Sequence, residues 1–135
     1  MTTPGKVVST HLYRIRFDWD GRHLRASVSG YTGSQETSMA YWRAIADEAH
    51  VNAASAVLVV DQREGQRLPE DQMAEVLDAL HALGMANVRL ALVETQLEHF
   101  AQAEATEILA REKDFDIRVF SNEMEAAVWL RHGEP

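Results

Sequence analysis

The chain contains no cysteine. That absence removes disulfides, thiolate nucleophiles and cysteine-ligated zinc together. No apolar run approaches the roughly 20 residues needed to cross a bilayer. The opening MTTPGKVVST has no signal-peptide core. These absences predict a cytoplasmic protein without an integral membrane segment. Positive charge is also scarce, with 13 Lys+Arg against 21 Asp+Glu and a net charge of −8. Sequence-independent nucleic-acid binding needs a dominant positive field, so no nucleic-acid partner is expected.

Chemical motifs are equally sparse. There is no GKS or GxGxxG phosphate cradle. The six histidines, His11, His23, His50, His81, His99 and His132, include no pair four residues apart and no His-Glu-x-x-His, so no metal site is predicted. Ser27, Ser29 and Ser34 have no histidine and acid at a recognisable triad spacing. The acid pairs Asp47/Glu48, Glu70/Asp71 and Glu104/Glu107 fall on helix surfaces, where solvated charge is the ordinary condition. No cofactor is implied, and an enzyme is the weakest functional reading.

What is present describes one domain. The 135 residues are 46% apolar and 25% charged, enough to bury a sizeable core, with no linker or repeat. Residues 1–10 are polar and expected to fray at their start. Tyr13, Ile15 and Phe17 alternate with Arg14, Arg16 and Asp18, the period of a strand with one buried face. Asp20-Gly21 suits a tight hairpin turn, and Leu24, Ala26 and Val28 continue the alternation in a second strand. After a glycine-bearing loop, Ser34 or Thr32 can cap a helix carrying Met39, Trp42, Ile45, Ala46 and Ala49 at helical spacing.

Residues 56–60, AVLVV, are apolar on both faces and belong in the middle of a sheet. Pro69, Glu70 and Asp71 suit the start of a helix whose stripe is Met73, Val76, Leu77, Leu80 and Leu83, with Gly84 at its end. A strand over 88–93 follows, then a helix over 97–111 with Leu97, Phe100, Ala101, Ala105 and Ile108 inward. A short strand over 116–120 leads to a last helix over 122–131. Ser121 is its expected cap, and Met124, Ala127 and Val128 its inner face. The order is β-β-α-β-α-β-α-β-α, an α/β domain with a mixed, mainly parallel five-stranded sheet.

Four stretches, FDWDGRHLRASVSGYT, MAYWRAIADEA, AVLVVDQREG and RVFSNEMEAAVWL, make the chain resemble the SpoIIAA-like group of small bacterial proteins. That group is related to STAS domains and similar in fold to CRAL-TRIO domains. The resemblance spans nearly the whole chain and rests on packing patterns. It implies helices largely on one face of the sheet. It also implies a regulatory role exerted by binding partners, such as anti-sigma factors or a fused protein. In STAS regulators a serine after the central strand is phosphorylated and docking is lost. Here residues 56–94 contain no Ser or Thr, so that switch is absent in its usual form. Glu70 and Asp71 stand near its place, either as mimics of a modified state or simply as acids favouring a helix start.

Three places can hold a partner or ligand. The loop 61–67, DQREGQR, follows the central strand, and ligands of open α/β sheets bind beyond the carboxyl ends of strands. Asp61, Arg63, Glu64 and Arg67, with Glu70 beyond them, are its candidate residues; a solvated turn with internal ion pairs is the alternative. Alternation also places Arg14, Arg16, Arg25, Arg89 and Arg118 on the sheet face opposite the core, a candidate site for an anionic ligand, a lipid headgroup or an acidic partner. Trp42 is a core residue or lines an apolar ligand cavity between the first helix and the sheet. Two readings follow. One is a non-enzymatic interaction module. The other is a carrier of a small apolar or anionic ligand. An edge of the opening hairpin can also pair two chains.

Overall fold

The structure, a computed structural model, describes residues 3–31 and 34–132. Six strands and four α-helices follow one another as β1 (Thr3–Ser9), β2 (Tyr13–Trp19), β3 (Leu24–Gly30), α1 (Gln35–Val51), β4 (Ala56–Asp61), α2 (Glu70–Ala82), β5 (Arg89–Glu94), α3 (Phe100–Glu112), β6 (Asp116–Phe120) and α4 (Glu123–His132). The strands stand side by side in chain order. β1, β2 and β3 are mutually antiparallel, and β3 to β6 run parallel.

The sheet therefore has six strands where five are predicted. The extra one is β1, within the segment expected to fray. Its sequence, TPGKVVS, mixes two valines with residues that disfavour strands. Pairing with β2 supplies what local propensity does not: Val8 lies opposite Ile15 and packs against the core, and Val7 lies opposite Arg16. The edges of the sheet are accordingly β1 and β6, and β2 is an interior strand. The register of β1 shifts between Thr3 and Lys6.

Successive parallel strands laid down in one direction carry their connecting helices on one side. The main core lies there, between the sheet and α1, α2 and α3, around Ile15, Leu24, Ile45, Val57, Val76 and Leu80. The alternating apolar residues of β2 and β3 are all buried in it, as are Leu90 and Leu92 of β5 and Ile117 and Val119 of β6. The turn between β2 and β3 is closed by Asp20, whose carboxylate accepts from the amides of Arg22 (2.7 Å) and His23 (2.6 Å), with Gly21 at φ +89°. Ser34 caps α1, accepting from Thr37 N at 3.2 Å; the alternative cap, Thr32, lies outside the described residues.

The last helix departs from expectation in phase and cap. It packs on the opposite face of the sheet through Ala126, Trp129 and Leu130, against Leu58, Val60, Ala91, Val93 and Phe120. Met124 is 77% exposed and Val128 46% exposed. The indole of Trp129 is the largest apolar group on the helix, and burying it decides the rotation. Asn122, not Ser121, accepts from an amide of the first turn, that of Glu125 at 3.1 Å. The third helix is also rotated from the predicted stripe. Ala103 and Ala110 are buried, while Leu97 precedes the helix in a 3₁₀ turn at 79% exposure and Ile108 is 60% exposed. Ala101 and Ala105 are exposed too. Alanines at 101, 103, 105 and 110 give almost no contrast between faces, so the contact with the sheet sets the phase.

Candidate functional site

β4 and β5 are neighbours in register, and both end in an acid: Asp61 lies opposite Glu94. The following loop returns two arginines onto these acids. Arg63 donates to both oxygens of Asp61, from Nε at 2.9 Å and from Nη2 at 2.7 Å. Arg67 grips Glu94 with Nε and Nη2, both at 2.9 Å, and its Nε stands 3.7 Å from Asp61. All four groups are withdrawn from water. Side-chain exposures are 9% for Asp61, 7% for Arg63, 8% for Arg67 and 3% for Glu94. The arrangement is a charge-neutral buried quartet, in place of the solvated turn that a charged loop suggests.

The quartet is fully bonded. Arg63 stacks over the Tyr41 ring at 4.4 Å and reaches Ser38 Oγ at 3.4 Å. Its own carbonyl accepts from Gln96 Nε2 at 2.9 Å and from Arg67 Nη2 at 3.2 Å. Arg67 Nη1 donates to the carbonyl of Gly65 at 3.1 Å, and Thr95 Oγ1 to that of Asp61 at 2.8 Å. Burial by itself raises the Asp61 carboxyl; the bonds and charge of Arg63, with Arg67 behind it, outweigh burial and hold it below the ordinary carboxylate value. Burial would lower the Arg63 guanidinium, and its anionic surroundings, Asp61 foremost among the bonded groups, raise it instead. Burial pushes the Tyr41 phenol upward.

Below the quartet lies an apolar cavity of about 50 Å³, walled by Trp42, Leu77, Leu80, Leu90 and Phe115. Trp42 is thus both a core residue, 5% exposed, and a cavity wall. The space matches a water or two, well short of the roughly 150 Å³ that admits benzene in an engineered apolar cavity.

Of the predicted loop residues, the structure brings Asp61, Arg63 and Arg67 together and sets Trp42 beneath them. Glu64 and Glu70 point outward and are exposed. Glu94, Tyr41 and Ser38 complete the site and were not singled out in the sequence. The signal for Glu94 was there: two adjacent apolar strands each close on an acid, VVD and LVE.

The five arginines opposite the main core do share a face, but α4 divides them. Arg25 is held by Glu123 of α4, which raises its guanidinium further. Arg89 lies over Trp129 at 5.6 Å and pairs with Asp116 at 3.4 Å, while Arg118 lies over Phe120 at 5.5 Å. Arg14 and Arg16 stand exposed on β2, beyond the reach of α4, Arg16 beside Asp18 at 3.3 Å. The face is therefore a covered half and an open half, not one continuous basic surface.

Among the described residues no cluster of His, Asp and Glu gathers as metal ligands would, and no helix is long and apolar enough to cross a membrane. No family model, curated protein or solved structure matches the chain.

Proposed function

We propose that this protein is a cytoplasmic, non-enzymatic regulatory or protein-interaction module of the SpoIIAA-like, STAS-related kind, which docks a protein partner on the loop 61–67 and the start of α2. The observation that carries this reading is the buried quartet. A fully bonded ionic network adds little net stability over well-packed apolar residues of the same size. What it does here is geometric: it ties the loop to β4, β5 and α1, so the surface above is ordered before any partner arrives, and preorganisation lowers the cost of association. That surface carries Tyr31, 64% exposed, and Leu97, 79% exposed, with Glu64, Glu70 and Glu98 around them. Aromatic and aliphatic anchors inside a charged rim have the composition of an interface, and the acids favour a partner with a basic rim. The absence of Ser and Thr from 56 to 94 means that docking is not switched by phosphorylation there.

The test is capture from lysate of the source cells with three baits: wild type, a Tyr31→Ala/Leu97→Ala variant, and an Arg14→Ala variant on the far side of the sheet. The expected result is a partner retained by wild type and Arg14→Ala and lost from the double variant. A partner held equally by all three would overturn the reading.

The cavity beside Trp42 gives a second reading, a carrier for a small apolar or anionic ligand. Its walls are of the right chemistry, but its volume of about 50 Å³ requires α2 and α3 to part before a lipid-like chain can enter. Native mass spectrometry of protein from its own cells separates the two readings: a co-purifying lipid or acid favours the carrier, and an empty chain disfavours it.

A further inference from the structure

The opposite end of the sheet, at the amino ends of the parallel strands, holds an open cleft. It measures about 630 Å³ and lies between the β2–β3 turn, the start of β5 and the last turn of α4. Its walls include Trp19, Arg22, His23, Arg89, Asp116 and Arg131. An adjoining recess of about 280 Å³ shares Trp19, His23 and Arg131 with it but adds Asp18, Asp20 and Glu123 beside Arg25, so the positive charge belongs to the larger cleft alone. The volume falls in the range of roughly 300–1,000 Å³ typical of small-molecule sites.

The charge of the cleft runs against that of the chain. In a protein of net charge −8, three guanidiniums line it against one carboxylate. The three are not equivalent. Arg89 is fixed, lying over Trp129, paired with Asp116 at 3.4 Å and donating to the carbonyl of Leu130 at 3.5 Å. Arg22 and Arg131 are exposed and have no ion-pair partner among the described residues. Arg131 alone has a simpler explanation, since a cation in the last turn of α4 complements the helix dipole. That explanation does not extend to Arg22 on a turn or to Arg89 at a strand start. Helix carbonyls would repel an anion, but those at the end of α1 are already occupied: Glu48, Ala49 and His50 accept from the amides of Asn52, Ala54 and Ala53. β3 and β5 are separated only by β4, so the strand that follows the Arg22 turn and the strand that begins at Arg89 lie about 10 Å apart, the width of two strand spacings.

We propose that this cleft binds a small phosphate-bearing ligand, a diphosphate or a phosphate monoester. Arg89 forms the fixed seat, and Arg22 and Arg131 close from either side. Phosphate fits better than carboxylate because a guanidinium fork takes two oxygens, and a terminal phosphoryl group offers three around one centre to guanidiniums from three directions. Trp19, half-buried in the wall, reports occupancy.

The experiment is titration of the full chain with inorganic pyrophosphate at low salt, followed by calorimetry and by indole fluorescence, with citrate as the polycarboxylate control. Saturable binding below about 1 mM is expected, with a fluorescence change lost in Trp19→Phe. Arg22→Gln combined with Arg131→Gln should weaken binding about tenfold or more while lowering the melting temperature by at most a few degrees, since both side chains are exposed and only the helix-dipole contribution of Arg131 is lost. Arg16→Gln, outside the cleft, should leave binding unchanged. Absence of saturation to about 10 mM overturns the proposal. So does equal weakening by Arg16→Gln, equal binding of citrate, or full binding by the double variant.

Discussion

Asp61 concentrates the energetics of the candidate site in one carboxylate. Removing it leaves Arg63 buried without its bidentate partner, and breaking one side of such a pair costs about 3–5 kcal/mol. Asp61→Ala should therefore lower the urea midpoint by a corresponding amount without changing the slope of the transition. The same residue gives the molecule an acid sensitivity. Its folded value lies below its unfolded value, so its contribution is complete above about pH 4, where the unfolded group ionises, and is lost as pH falls through the folded value. Stability measured from pH 7 down to about pH 2.5 should fall more steeply below pH 4 in wild type than in Asp61→Asn. Gly30 is constrained for a different reason. Its φ is +124°, and an added Cβ would stand 2.7 Å from the carbonyl oxygen of Leu12. Gly30→Ala should cost at least about 2 kcal/mol by chemical denaturation.

At the scale of the element, α4 is the most informative. It stands alone on its side of the sheet, so its contacts are few in kind and Trp129 dominates them. Trp129→Ala should cost about 3–5 kcal/mol. Glu123→Gln, which cuts the half-exposed pair with Arg25, should cost less than about 1 kcal/mol. Thermal or urea unfolding of the two variants side by side checks both. This helix also shows what could be read in the sequence and what could not. Its existence was legible in an acidic first turn and an apolar spacing. Its phase was not, because Met124/Ala127/Val128 and Ala126/Trp129/Leu130 are both apolar triplets, and the choice between them is made by a sheet face that only the assembled fold defines. The strands β2 and β3 were legible residue by residue, since alternation is a local signal. β1 was illegible for the converse reason: its strand character comes from β2. At the candidate site, the sequence showed the loop and its charges. It did not show that the arginines fold inward onto acids from two different strands, which is a consequence of register.

For the whole molecule, the sheet is covered unevenly. β4 and β5 are buried throughout on both faces, Arg89 excepted, whereas β1 has one neighbour and an exposed outer row. Amide hydrogen exchange should be slowest in Ala56–Asp61 and Arg89–Glu94 and fastest, among the strands, in Thr3–Ser9; equal protection of β1 and β4 would contradict this ordering.

The order of the strands has one more consequence. Because each strand lies next to the one that precedes it in the chain, no strand is ever inserted between two already in place. The sheet can thus be assembled vectorially, each new β-α unit docking on the edge left by the last as the chain emerges during synthesis. α4 follows all six strands in the chain and is the element that closes the second face, so from the emergence of β6 until α4 docks that face remains a bare apolar wall and the nascent chain is in need of protection.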